Sequence, residues 1–180
     1  MDRLNHLPEP VRSLAITYLG RLQLPSDHLL ITVDKREFES WLGRRVSSSI
    51  GGAYIFLRKR NRHAVLINLP RIDLDQPKAL EIVVCEELVH MRDWIDGDRR
   101  GHAKHGHDRI AWRVAELTGA SIEEVRSPLL PVKRRSFKYV YGCPGCGRTV
   151  RRRRKGRWSC GACSPRYDPR YELRIVEELG

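Results

Sequence analysis

Residues Cys143 to Cys163 read CPGCGRTVRRRRKGRWSCGAC, two Cys-x-x-Cys pairs with thirteen residues between them. This stretch decides how the rest of the chain is read. Each pair places two thiolates on a tight turn, and a β-hairpin of that span brings the two turns together. Four thiolates so placed suit tetrahedral Zn²⁺. The last third of the chain is therefore expected to be a zinc ribbon, with Cys143, Cys146, Cys160 and Cys163 as ligands of one structural zinc. Four of the five cysteines sit in these pairs, which points to a reducing, intracellular setting rather than a disulfide framework.

The charge is unevenly placed. Residues 133–180 carry fourteen Lys/Arg against four Asp/Glu, a net of +10 out of +12 for the whole chain. A focused positive field of this kind attracts polyanions, and nucleic acid, DNA first, is the expected partner. The cations expected to meet it are Arg151, Arg152, Arg153, Arg154, Lys155 and Arg157, acting on phosphates, with Trp158 available either for stacking on a base or for packing. Tyr139 and Tyr141 read as packing residues that cover the metal. No apolar run approaches the length of a membrane span, and Met1 to Pro10 is polar, unlike a secretory signal. A cytoplasmic protein, or one at the nucleoid or nucleus, without a membrane partner is the expectation.

The 180 residues can hold one sizeable core and a small metal-stapled module, divided here as 1–132 and 133–180. Working upstream, Leu129 to Pro131 reads as the linker. Ala79 to Ile95 keeps an apolar stripe through Leu80, Val83, Val84, Leu88, Met91 and Ile95, predicting a strong helix with Asp75 as its cap and Pro77 in its first turn. A second helix is expected from about Lys104 to Leu117, ended by Gly119. Ala53 to Leu57 and Ala64 to Leu69 read as antiparallel strands joined by the basic turn Arg58 to Arg62, after the punctuation of Gly51-Gly52. Pro8 to Leu22 predicts a helix, Leu29 to Val33 a strand, and Phe38, Trp41 and Leu42 a brief helix or turn. His63, beside the basic turn, reads as a surface residue, and Cys85 as a buried small apolar one.

Inside the strong helix lies Cys85-Glu86-Glu87-Leu88-Val89-His90. Glu86 and His90 are one turn apart and leave the same face, with Glu87 at its edge. This is the geometry of His-Glu-x-x-His with Glu86 where the first histidine would stand. In that motif two histidines hold zinc and the glutamate between them takes a proton from water activated by the metal. A third ligand must come from elsewhere: His105 is well placed, with His102, His107 and Asp108 as rivals. The same donor types could hold Fe(II) for oxygen chemistry, but neither the helix nor the cysteine pairs suggests an oxygenase.

The string Glu86-Glu87-Leu88-Val89-His90, a polar loop, His105-Gly106 opening a helix, and then four paired cysteines resembles the SprT-like metallopeptidases, which include Spartan. Asn68-Leu69-Pro70 closing the strand pair is also similar to that family. The resemblance implies an α+β fold: a zincin-like core, with a small antiparallel sheet on the active-site helix, followed by a zinc ribbon. It implies a zinc-dependent hydrolase acting on protein substrates, some bound to DNA. By position Glu87 matches the catalytic glutamate, His90 the second histidine ligand and His105 the third. Glu86 departs from the family pattern. It either ligates a catalytic zinc itself, yields that place to His102 or His107, or marks a catalytically degenerate protein that binds nucleic acid through its ribbon.

Overall fold

A computed structural model describes residues 4–98, 107–131 and 136–179. The chain divides into two compact units, residues 1–131 and 132–180, of mixed α and β structure.

The first unit opens with α1 (Glu9–Arg21), entered through Pro8 and Pro10 and burying Val11, Ala15, Tyr18 and Leu19. Strand β1 (Leu29–Thr32) leads into α2 (Lys35–Leu42). Asp34 caps α2 by accepting from the Arg36 N–H at 2.8 Å, and Gly43 closes it at φ +66°, a left-handed conformation that glycine adopts without steric cost. Strands β2 (Gly52–Leu57) and β3 (Arg62–Ile67) form the expected antiparallel hairpin.

The sheet order is β1-β3-β2, and β1 runs parallel to β3. The sheet is therefore mixed, not antiparallel as the sequence reading expected. After β1 the chain crosses through α2 to the far edge before the hairpin returns, which leaves the centre to β3. That position explains the unbroken apolar run of β3, since a central strand is covered on both faces. Val65 and Ile67 pack with Leu29, Ile31, α1 and the main core. Ala64 and Leu66 face Phe38 of α2 on the other side.

Across the first face lies α3 (Ala79–Ile95), buried on nearly all sides. Its N-cap is Lys78, with no side-chain cap, so Asp75 does not cap it. The Lys78 ammonium instead donates to the carbonyls of Thr118, at 3.3 Å, and Gly119. These end α4 (His107–Thr118), where a cation is favoured by the helix dipole. The start of α3 thus meets the end of α4, and the two helices are antiparallel. A short α5 (Ile122–Arg126), missed in the sequence reading, is opened by a Ser121/Glu124 capping box. Leu129 bridges to Ile72 and the Leu130 N–H donates to the Arg71 carbonyl at 2.9 Å. The segment read as a linker therefore belongs to the core, because its backbone groups find partners there.

The second unit is a three-stranded antiparallel sheet, β4 (Tyr139–Gly142), β5 (Thr149–Arg152) and β6 (Arg174–Glu178), in the order β5-β4-β6. Tyr141, Cys143, Cys160 and Leu173 form its small core, with Tyr139, Val150, Trp158 and Tyr171 packed against it. The C-terminal segment, undecided between helix and loose tail on sequence grounds, is the strand β6.

Candidate active site and metal centre

Helical geometry sorts the α3 side chains before any contact is measured. At 100° per residue, Glu86, His90 and Asp93 leave within about 60° of one another, and Glu87 and Trp94 leave from the adjoining strip. The contacts follow that division. Trp94 stacks on Phe56 of β2, with ring centroids 5.1 Å apart and planes at 29°, and Glu87 lies against Gly52 of the same strand. On the other side Asp93 accepts from Arg113 at 2.7 Å and from Arg109 at 3.2 Å, both on α4. His90, itself buried, sits between the strip turned to β2 and the strip turned to α4.

Glu87 is the unusual group. It is 6% exposed, and its Oε2 has no hydrogen-bond partner among the described residues. An orphaned buried acceptor costs about 1–3 kcal/mol, and native proteins hold few of them. Burial pushes its carboxyl well above the usual range, and the neighbouring Glu86 charge adds to the effect. Glu86, one residue earlier, is half-buried. The sequence placed Glu86, Glu87 and His90 on one helix, and all three do lie on α3, but their donor atoms do not form a cluster within metal-binding range of one another. His105 and its rival His102 lie outside the described residues. His107 and Asp108 open α4, but their side chains also lie outside them.

Beside this group, Gly52, Tyr54 and Phe56 turn one face of β2 toward α3, and no strand pairs with the outer edge of β2 among the described residues. His63 is not a surface residue. It pairs with Phe56 in the ladder, packs against Phe56 and Tyr54, and shares a 2.9 Å hydrogen bond with the Tyr54 hydroxyl. Burial lowers its pKa, with a smaller contribution from His28, which keeps the ring neutral. The sequence reading saw a charged turn next door. It missed the alternation that turns His63 inward with Val65 and Ile67.

In the second unit the four cysteine sulfurs lie within 4.8 Å of one another. Cys143 Sγ stands 3.7 Å from Cys163 Sγ, and Cys146 Sγ 3.7 Å from Cys160 Sγ. Four sulfurs at the usual zinc distance on a tetrahedron are about 3.8 Å apart, so this donor set fits a metal ion such as zinc. Backbone N–H groups of Ala162 and Cys163 bring the Cys160 thiol down to about 7, which readies a thiolate near neutral pH. Among the described residues this is the one cluster of three or more His, Cys, Asp or Glu side chains within metal-binding range.

The residues read as nucleic-acid contacts are not equivalent. Arg151 and Arg154 are exposed and have no ion-pair partner among the described residues. Arg152 lies over the Trp158 ring at 5.3 Å and Arg153 over Phe137 at 4.6 Å. Lys155 pairs with Glu178 at 2.8 Å. Arg157 grips Glu172 through two bonds of 3.0 and 2.9 Å. Trp158 meets Tyr141 edge-on at 5.1 Å, which gives it a packing role in this unit.

Two site residues escaped the sequence reading. Gly52 reads as punctuation in the sequence, although a glycine in a strand also signals close approach of another group. Asp93 carried no local signal, since its partners lie on another helix. Comparisons of the chain with family models, with curated proteins and with solved structures find no match.

Proposed function

We propose that this protein is a zinc-dependent peptidase of the SprT-like kind, with a variant Glu-Glu-x-x-His site on a zincin-like core, followed in the sequence by a zinc ribbon. The observation that carries the reading is the buried Glu87 carboxyl, unpartnered at Oε2, beside Glu86 and one turn from His90. Structural carboxylates at such depth are paired or hydrogen-bonded. One held without a partner is suited to exchanging protons.

Glu86 and His90 would hold the ion with His105 as third ligand. When bound, a divalent metal there polarises a peptide carbonyl and makes water more acidic. Glu87 would accept a proton from the water that attacks the peptide carbonyl and return it to the departing amine, and its raised proton affinity would suit both roles. The open edge of β2 supports a peptide substrate: an extended chain laid along it pairs main chain to main chain beside Glu87.

The ribbon would bring the enzyme to DNA and to proteins bound there. Support comes from the exposed Arg151 and Arg154 and from the concentration of charge in residues 133–180. The other reading, a degenerate core carrying a nucleic-acid-binding ribbon, differs in metal content. Elemental analysis should find two zinc ions per chain, falling to one in His90→Ala. Glu87→Gln should keep both and lose cleavage of an unfolded protein probe. One zinc in both wild type and His90→Ala, with no cleavage, would overturn the peptidase reading.

A further inference from the structure

Ser40 to Ile72 contains no Asp or Glu and seven Lys/Arg, in a region (residues 1–132) whose net charge is only +2. The near-neutral total hides a separation of charge: this stretch is +7 and the remainder of the region is −5. Three of the seven, Arg58, Lys59 and Arg60, follow one another at the tip of the β2–β3 hairpin. A single 3₁₀ turn holds them, closed by Asn61 at φ 47° in the left-handed region, with the Asn61 N–H on the Arg58 carbonyl at 3.3 Å. Successive residues of such a turn leave its axis about 120° apart, so charge faces outward on every side. All three are exposed, and none has an ion-pair partner among the described residues. Arg62, by contrast, is half-buried and reaches the Asp27 carbonyl at 3.5 Å.

We infer that this hairpin tip is a second nucleic-acid contact, on the core itself and separate from the four-cysteine unit, which grips the phosphate backbone without reading bases. Three chemical facts favour that partner. A line of phosphates matches three cations splayed around one short turn, with no helix or ribbon to set them in a groove against base edges. A protein partner would need an apolar centre to its interface, and an anionic membrane would be met by apolar side chains beside the basic ones. Residues 58–62 contain neither Leu, Ile, Val nor an aromatic. The tip stands at the opposite end of β2 from Gly52, about 17 Å along the strand at 3.4 Å per residue. Nucleic acid held there lies one short strand away from Glu87. The inference needs neither metal nor cleavage, so it stands or falls apart from the peptidase reading.

The test is the salt dependence of binding by the full-length chain to a fluorescent DNA duplex of about 20 base pairs. Each phosphate contact contributes about 0.9 to the slope of log affinity against log salt. The triple variant Arg58→Ser/Lys59→Ser/Arg60→Ser should lower the slope by about 2–3 with an unchanged circular dichroism spectrum. A control of equal charge, Arg12→Ser/Arg36→Ser/Arg126→Ser, should lower it by less than about 1. An unchanged slope in the first triple would overturn the inference. So would an equal fall in the control, or binding by wild type to phosphatidylserine vesicles but not to the duplex.

Discussion

The Glu87 side chain rests directly on the backbone of Gly52. A methyl carbon added at Gly52 would stand 2.7 Å from Glu87 Cγ and closer still to its carboxyl oxygen. Real side chains do not tolerate that spacing, and Glu87 is buried and cannot swing away freely. Gly52→Ala should therefore cost about 1–3 kcal/mol by overpacking, read from chemical denaturation. The cost should shrink sharply in the Gly52→Ala/Glu87→Ala double variant, because the two positions share one clash. Additive costs would show that the strand and the helix do not press on each other there.

Glu87 also sets a pH dependence. Its carboxyl is raised by burial, then by Glu86, so the folded chain holds this proton more tightly than the unfolded one. The fold is therefore favoured below the ordinary carboxylate pKa. That advantage is lost as pH rises from there toward the raised value. Chelator-treated protein should lose stability as pH rises above the ordinary carboxylate range, and Glu87→Gln should be more stable than wild type at the high-pH end. A Glu87→Gln variant that follows the wild-type curve would remove the case for a strained carboxyl.

Asp93 ties α4 to α3 through Arg109 and Arg113, and is 5% exposed. Removing a buried partner of an ion pair is costly, but the arginine side chains are 61% and 37% exposed and water replaces much of what they lose. Asp93→Asn should cost about 1–2 kcal/mol. Hydrogen exchange should quicken first in the opening turns of α4. Exchange that quickens evenly through the first unit would argue against so local a tie.

The cations of the four-cysteine unit should divide by their partners. Arg151→Ala and Arg154→Ala should each lower the salt slope of DNA binding by about 1, as expected for side chains free to meet phosphate. Arg157→Ala should lower it by less, because Glu172 already neutralises that guanidinium and is held at about 2 by it and Tyr167. Equal losses at all three positions would show that DNA displaces Glu172.

Much of the candidate site was legible locally. Glu86, Glu87 and His90 declare their shared helix by spacing, and the cysteine pairs declare a four-sulfur site because each knuckle is a turn of four residues. The hairpin of β2 and β3 was equally plain from its two apolar runs and the basic turn between them. His63 was misread because its neighbours in sequence are charged, while its neighbours in space are Phe56 and Tyr54. Asp75 looked like a cap by residue type, yet the chain turns into α3 three residues later.

Periodicity, turn chemistry and cysteine spacing depend on residues close along the chain, so the sequence by itself determined α3, the β2–β3 hairpin and the paired thiols. The parallel placement of β1, the strand made by residues 174–178, the seat of Glu87 on Gly52 and the grip of Asp93 on α4 came only with the tertiary structure. Each of these joins surfaces far apart in sequence, and which surfaces meet is decided by burial of the whole core rather than by any local preference.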